Sequence, residues 1–423
     1  MDRIKGSQVR WVVCGLLFLI TCVNYLDRSA LGLVEPMLKR ILGGDLDPAL
    51  YNRHYSEIVT CFIVAYGLGF LISGWIVDRI GAKKGLALSI MVWGLASISH
   101  AFMRTVTGFG VARFALGLGE SGNFPAALKA IADWFSVEER ALATGIFNSG
   151  TSAASLLAPF AIPWVAVHYG WQAAFVCTGS LSLMWLALWL AFPYHRLRRE
   201  QRAVHPSPGP APAAASRSLR SLLRERETWN FALSKALTDG VWWFYLFWLP
   251  KYLHERFQVD MSHLGQSLIF VYVGATAGSI GGGWLAGYAI RRGLAPRKGR
   301  RLALQACALC TTAVIFVPFT HTLWQAIALL CVATAAHQGW SSNLFSTPSD
   351  IFAPESVATV VGIGGAVGSL GSSAFTALVG ALWTNHSLLI FFVAGSAYLI
   401  AAAMFQSRAP ATPTNTPLSF AAP

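Results

Sequence analysis

The feature that most constrains this chain is a succession of mostly apolar stretches, each about twenty residues long, recurring along nearly its whole length. Wound as an α-helix at about 1.5 Å per residue, such a stretch spans the roughly 30 Å hydrocarbon core of a bilayer. Twelve can be read, at about 11–30, 55–77, 86–103, 107–131, 141–166, 171–193, 229–253, 264–290, 302–319, 323–347, 357–383 and 387–406. Backbone polar groups cannot go unpaired in lipid, so these stretches are helices; they are too long and too uniformly apolar for barrel strands. The expected fold is an all-α membrane protein with twelve transmembrane helices. Only 12% of the 423 residues are charged, against about 25% in soluble domains. That excludes a disordered chain, a disulfide-knotted secreted domain and an ordinary cytosolic enzyme.

The chain has 32 Lys and Arg against 19 Asp and Glu, a formal net charge of +13. Nucleic acid is not the reason, because no soluble stretch is long enough to fold. With the N-terminus inside, 22 of the basic residues fall on the cytoplasmic side, 6 outside and 4 within spans. Arg79, Lys83 and Lys84, the cluster Arg196, Arg198, Arg199 and Arg202, and the group from Arg291 to Arg301 carry that bias. Both termini are therefore expected in the cytoplasm. The first apolar run is interrupted by Asn24 and by Asp27-Arg28 with no small-residue cleavage site behind it, so it reads as a span, not a cleaved leader. All seven cysteines lie in apolar runs and imply no disulfide framework; Cys307-x-x-Cys310 reads as helix packing.

The longest break, near 194–228, is rich in Arg and then in Pro and Ala, as in His205-Pro-Ser-Pro-Gly-Pro-Ala-Pro. It reads as a flexible cytoplasmic linker between six helices in 1–193 and six in 229–406, with 407–423 a cytoplasmic tail. Gly74-Trp75 before Lys83-Lys84-Gly85 is echoed 209 residues later by Gly283-Trp284 before Arg291-Arg292-Gly293. Two six-helix halves related by a parallel repeat are the organisation of major facilitator transporters.

Ionisable residues inside spans are costly and mark function by default. Here they are Asp27, Arg28 and Glu35 in the first span, Arg113, Glu120 and Lys129 in the fourth, Lys235 and Asp239 in the seventh, and His337 in the tenth. Arg113 and Glu120 are two turns apart on nearly one face. Asp27 and Arg28 diverge by about 100°, so one can face a cavity while the other meets a neighbouring helix. Two acids and two arginines within one half suit proton coupling: a carboxylate that takes up a proton loses its hold on an arginine. The alternative is a static ion-pair network that fixes helix packing.

Lys235, Thr238, Asp239, Trp242 and Tyr245 recur at three- and four-residue steps, and His337, Trp340 and Asn343 with Gln338 and Ser341 repeat the theme in the tenth span. Aromatic rings, amides and a lysine suit a hydroxylated carboxylate, although Lys235 could simply pair with Asp239. Gly117-Leu-Gly119-Glu-Ser-Gly122 spells the dinucleotide fingerprint, but it lies inside a membrane helix with no strand before it and reads as close helix packing. No metal-ligand cluster or nucleophile triad appears, so no cofactor is implied. His100, His168 and His386 lie near span ends and are expected to be solvated.

Gly74-Trp-Ile-Val-Asp78-Arg79-Ile-Gly81-Ala-Lys83-Lys84 resembles the loop signature of the major facilitator superfamily. The resemblance implies that Asp78, Arg79, Lys83 and Lys84 form a gating latch, one-sided because Gly287 stands where the second half would repeat the Asp. Val23-Asn-Tyr25-Leu-Asp27-Arg28 and the stretch from Arg113 through Glu120 to Pro125 resemble the anion:cation symporter branch, as does Trp134-Phe135-Ser-Val-Glu-Glu139-Arg140. Lys235 to Tyr252 and Ala336 to Phe345 resemble bacterial hexuronate transporters; the family's usual Pro after Thr-Asp is replaced by Gly240, and Pro348 is an addition. The likeness covers most of the chain except linker and tail.

It implies proton symport of glucuronate and galacturonate across the bacterial inner membrane by a monomer that needs no cofactor. By it, Asp27 and Glu120 carry protons with Arg28 and Arg113 as partners, and Tyr25 and Tyr66 join Lys235, Asp239, Trp242, Tyr245, His337, Gln338, Trp340 and Asn343 in the pocket. Galactonate, tartrate or phthalate as cargo, and a non-transporting receptor on the same scaffold, remain the alternatives.

Overall fold

The computed structural model describes residues 6–38, 48–204, 218–258, 261–383 and 387–407. Its helices are α1 (Gly6–Leu38), α2 (Pro48–Ile80), α3 (Ala82–Ser99), α4 (Val106–Glu120), α5 (Asn123–Trp134), α6 (Val137–Tyr169), α7 (Trp171–Ala191), α8 (Tyr194–Val204), α9 (Leu219–Leu222), α10 (Arg226–Phe247), α11 (Leu249–Phe257), α12 (Met261–Arg291), α13 (Pro296–Thr311), α14 (Leu323–Ile351), α15 (Val357–Leu382) and α16 (Ser387–Ser407). Taking α4 with α5, α10 with α11, and α13 with the 3-10 stretch Thr312–Phe319, the described residues form twelve membrane-length segments, six before α8 and six after α9.

Among the described residues, nine of these segments are apolar and long enough to cross a membrane on composition alone. The other three, 106–134, 226–257 and 323–351, contain Arg113, Glu120 and Lys129, then Lys235 and Asp239, then His337, Gln338 and Asn343. The first of these three is divided into two helices of 15 and 12 residues, each too short to cross alone, while Asp27 and Arg28 lie in α1, which is long and apolar enough.

The fourth segment breaks where Pro125 withholds the N–H that the Ser121 carbonyl would take in a continuous helix. The Ser73 hydroxyl donates to that carbonyl at 3.2 Å instead. Gly81, at φ +85°, ends α2 in a backbone region that suits a residue without Cβ. Leu309, Phe316 and Leu370 point outward from the bundle, where lipid makes apolar exposure favourable.

The two halves meet where α2 crosses α15 and where α6 crosses α12. Both crossings are backbone-close: a Cβ on Gly74 would fall 2.4 Å from the Ala358 carbonyl oxygen, and one on Gly283 would fall 2.2 Å from that of Ala141. Glycine at such crossings lets lipid-embedded helices approach more closely than side chains would permit.

The stretch read as a flexible linker begins as ordered helix. Tyr194 of α8 is 1% exposed and packs edge-on against Trp134 and Trp189, and Arg198 pairs with Asp133. These contacts tie α8 to the first half. The Pro- and Ala-rich part, 205–217, the tail from 408 and His386 lie outside the described residues. His100 differs from expectation: it is fully buried, bonded through Nδ1 to the Ala96 carbonyl and stacked on Phe175 at 4.9 Å. The chain folds back at the end of α3, so a ring near a span end becomes enclosed.

Candidate functional site

Helical geometry turns Asp27 and Arg28 to different neighbours. Asp27 is fully buried; its Oδ1 accepts from the Ser97 hydroxyl at 2.6 Å and its Oδ2 from the Ser182 hydroxyl at 2.8 Å, donors on α3 and α7. Arg28 turns toward α4, where Nε donates to Glu120 Oε2 at 2.9 Å. Its guanidinium also lies over the rings of Tyr25 and Tyr66, at 4.6 and 4.4 Å. Arg113 is 3% exposed and donates from Nη1 to the Arg28 backbone carbonyl at 3.3 Å. Among the described residues no carboxylate pairs with Arg113 within 4.0 Å, and its Nε and Nη2 have no hydrogen-bond partner. Of the two expected acid–arginine pairs, the structure forms the one between Glu120 and Arg28; Asp27 is held by hydroxyls instead.

Across from this network, Lys235 and Asp239 pair at 2.7 Å on one face of α10, with the lysine Nζ 3.9 Å from the Phe345 ring centroid. The Asp239 side chain keeps 29% of its surface exposed and is near enough to Tyr25 and Tyr66 to act on both electrostatically. Trp242 stacks on His337 at 5.0 Å with the planes 5° apart, and Tyr245 meets the same imidazole edge-on. His337 Nδ1 bonds the Tyr398 hydroxyl, which reaches the Thr238 carbonyl at 3.2 Å. Trp340 packs on the Tyr398 ring. Tyr398, in the last span, joins this cluster without having been singled out by the sequence.

Two expected pocket residues are turned into helix contacts. Asn343 Nδ2 donates to the carbonyls of Gly282 at 2.8 Å and Gly339 at 2.9 Å, tying α14 to α12. Gln338 reaches the other half: its Oε1 accepts from Asn148 Nδ2 at 2.6 Å, and its Nε2 donates to the Ser152 hydroxyl at 3.2 Å. The neighbouring helices thus supply partners for both amides, while the buried Asn343 Oδ1 has no hydrogen-bond partner among the described residues.

Toward the end of α2 the halves are latched. Asp78 accepts from Lys129 Nζ at 2.6 Å, from the Thr359 hydroxyl at 2.6 Å, and from the backbone N–H groups of Thr359 at 2.7 Å and Ala358 at 3.2 Å. The last two donors belong to the first turn of α15, so the carboxylate meets the positive end of a helix in the opposite half. Lys129 also donates to the Pro354 carbonyl at 2.6 Å. Beside it, Asp350 accepts from Arg300 Nε at 2.8 Å and from Arg140 Nη1 at 3.4 Å, and Arg140 also holds the Ser349 carbonyl at 2.6 Å. The bundle is closed at this end.

The sequence profile of the Major Facilitator Superfamily matches residues 17–376. The chain belongs to that superfamily. It is 30% identical over 392 residues to the hexuronate transporter of Escherichia coli (strain K12), covering 90% of this chain and 89% of the relative. It is 31% identical over 294 residues to the galacturonate transporter of Dickeya chrysanthemi, covering 67% of this chain and 83% of the relative. Among solved structures it resembles the proton:xylose symporter XylE bound to 6-bromo-6-deoxy-D-glucose, with a TM-score of 0.74 at 14% identity over 96% of this chain and 97% of that one. The human organic anion transporter MFSD10 gives 0.71 at 18% identity over 94% and 99%. These last two likenesses speak to the fold alone. The protein is thus a multi-pass membrane protein of a transporter superfamily, not an enzyme.

Within the superfamily's loop signature, Asp78 is the one of the four expected latch residues that hydrogen-bonds across the halves among the described residues. Lys83 donates to the carbonyls of Leu190 at 3.0 Å and Phe192 at 2.8 Å, capping α7 in its own half. Arg79 stacks on Trp75 at 3.7 Å, and Lys84 is exposed. Lys129, Arg140, Arg300 and Asp350 do the bridging that the signature does not mark. Gly287, where the Asp is not repeated, is a site of close approach: its Cβ would fall 2.4 Å from the Glu138 carbonyl oxygen. The Gly117–Gly122 run also packs as expected, since a Cβ on Gly119 would sit 2.5 Å from the Trp93 nitrogen. Pro348 lies in the last turn of α14 beside the latch, and Gly240 lies against Phe375 of α15.

Proposed function

We propose that the chain is a secondary active transporter that carries a hexuronate, glucuronate or galacturonate, together with protons by alternating access. The observation that carries the coupling is the Glu120–Arg28 pair: a fully buried carboxylate holds, at 2.9 Å, an arginine that also lies over Tyr25 and Tyr66. Protonating Glu120 removes its charge and frees Arg28 for an incoming carboxylate. Asp27, held by two hydroxyls, is the second proton carrier, and Arg113 supplies a further positive field. On the opposite wall Lys235 and Asp239 orient the sugar acid, with Trp242, Tyr245, His337 and Trp340 packed behind them. Gln338 and Asn343 bear on the pocket through the helices they join. The relatives' names, hexuronate and galacturonate transporter, support the choice of cargo; a probable L-galactonate transporter of Escherichia coli (strain K12), 28% identical over 351 residues, makes galactonate the nearest alternative.

In this reading residues 1–193 and 229–406 are the halves that rock about the site, 194–228 joins them and 407–423 is a tail. The latch end and both termini face the cytoplasm of a bacterium, across whose inner membrane the monomer works. The test separates coupling from binding. Glu120→Gln and Asp27→Asn should abolish accumulation driven by a proton gradient, with at least one variant retaining counterflow exchange. Normal accumulation by both would sink the assignment.

A further inference from the structure

The second half holds a buried polar relay that neither the ion pairs nor the latch explains. His337 of α14 is clamped by rings from two other helices. Trp242 of α10 stacks on its face at 5.0 Å, while Tyr245 of α10 and Tyr398 of α16 stand perpendicular to it at 6.3 and 5.9 Å. The imidazole Nδ1 bonds the Tyr398 hydroxyl, and that hydroxyl donates to the Thr238 carbonyl at 3.2 Å. A carbonyl can only accept, so the single hydroxyl proton goes to Thr238 and the hydroxyl oxygen accepts from Nδ1. The proton of the neutral imidazole therefore sits on Nδ1, and Nε2 is left as a lone-pair acceptor.

Nε2 has no hydrogen-bond partner among the described residues. Two further polar atoms of the group, Tyr245 Oη and Trp340 Nε1, are buried without a partner as well. Trp340 packs edge-on against Tyr398 at 5.5 Å, so these residues form one cluster. Buried polar atoms are ordinarily paired. An acceptor beside two groups that can donate is complementary to a hydroxyl, which both donates and accepts. A carboxylate does not suit Nε2, since it offers no proton to a lone pair. A metal does not suit it either, because the described residues bring no three His, Cys, Asp or Glu together. Lys235 acts electrostatically on the imidazole and Asp239 on the Tyr398 hydroxyl, which sets the cluster beside the ion pair assigned to the sugar acid. Tyr398 is 0% exposed and His337 5%, so of the two only the imidazole keeps an edge that cargo can reach.

We propose that Tyr398 fixes the tautomer of His337, and that the Nε2 lone pair left free accepts a hydroxyl of the bound sugar acid. The proposal rests on the reading of the cavity as a hexuronate site. His337 touches the cargo; Tyr398 is a positioning residue that acts through it. Without the tyrosine oxygen nothing holds the proton on Nδ1. The Nε2–H form then offers a donor in place of the acceptor, and the hydrogen bond to the cargo is lost.

Tyr398→Phe keeps the ring and removes only the hydroxyl. In proteoliposomes it should raise the apparent KM for counterflow of labelled D-glucuronate or D-galacturonate about tenfold, with kcat changed less than about threefold. His337→Gln should raise KM by itself, and in that background Tyr398→Phe should add less than about twofold. A tyrosine that merely packs predicts equal effects in the two backgrounds. That result, or an unchanged KM in Tyr398→Phe alone, overturns the proposal. Nitrogen NMR of protein carrying 15N-labelled histidine reads the tautomer without any change at Tyr398, the His337 signals being those missing from His337→Gln. Nδ1 should carry the proton, and the Nε2 signal should shift when hexuronate is added. A proton on Nε2 in the unsubstituted protein, or an Nε2 signal unmoved by saturating hexuronate, overturns the proposal. Failure of the hexuronate reading itself would show differently, as unsubstituted protein with neither saturable counterflow nor binding of either acid; the tautomer would then still decide the role of Tyr398.

Discussion

Asp78→Asn isolates what the latch contributes to the balance between its closed and open states. The Asp78–Lys129 pair lies within one half, so separation of the halves does not require it to break. What closure adds is the meeting of the carboxylate with α15: the Thr359 hydroxyl at 2.6 Å and the N–H groups of Thr359 and Ala358 at 2.7 and 3.2 Å. Both ion-pair partners are shielded, with 6% of the Asp78 side chain and 8% of Lys129 exposed, so solvent screens these contacts little. A charge-assisted hydrogen bond contributes about 1.5–3 kcal/mol, roughly twice a neutral one. Asparagine keeps one acceptor oxygen and loses the charge and the other. The closed state should therefore lose about 2–3 kcal/mol relative to the open one, a shift of roughly 30–150-fold in the equilibrium. The assay is maleimide labelling of Ser346→Cys with the native cysteines replaced, because Ser346 is 1% exposed and touches the Thr144 hydroxyl across the closed interface at 3.2 Å. Labelling from the latch side should accelerate by about that factor when Asp78→Asn is added. An unchanged rate would refute the claim that the carboxylate–helix contact holds the latch closed.

Gly283→Ala places a Cβ 2.2 Å from the Ala141 carbonyl oxygen, so the α6–α12 crossing cannot close without moving backbone; transport should fall at least about tenfold, the equivalent of roughly 1.4 kcal/mol. Wild-type rates in protein that elutes normally on size exclusion would contradict the close-contact account. Lys235→Ala leaves Asp239 uncompensated and removes the cation assigned to the sugar acid's carboxylate, so apparent KM for hexuronate should rise by about tenfold or more with a smaller change in kcat. An unchanged KM would take the lysine out of the substrate site.

Much of the architecture was legible because lipid leaves the backbone few choices: twelve apolar runs become twelve membrane-length segments. The ends were less so. The ninth span was read from 302, yet its helix begins at Pro296 and includes Arg297, Lys298, Arg300 and Arg301, since long basic side chains at a membrane surface can keep their heads in water while the helix continues. The charges Asp27, Arg28, Arg113, Glu120, Lys235 and Asp239 within spans stood out because each costs free energy in lipid. How they pair did not, because that depends on which neighbour lies across each face; only the fold reveals that Asp27 finds two serines and that Arg113 finds no carboxylate. Gln338 and Asn343 share a helix with His337 but point to other helices. The latch residues Arg140, Arg300 and Asp350 were overlooked for a related reason: charges at helix ends are ordinary, and nothing local marks the ones that meet the opposite half. Asn148 and Tyr398 are single polar or aromatic residues in apolar runs, and only their partners give them meaning.

The central claim is tested most directly by uptake of labelled D-glucuronate and D-galacturonate into proteoliposomes, with an inward proton gradient imposed or withheld. The account predicts accumulation that requires the gradient and is suppressed by unlabelled hexuronate but not by a neutral hexose. Uptake of galactonate, tartrate or phthalate in its place would contradict the cargo, gradient-independent hexuronate uptake would contradict the coupling, and tight binding without flux would contradict transport itself.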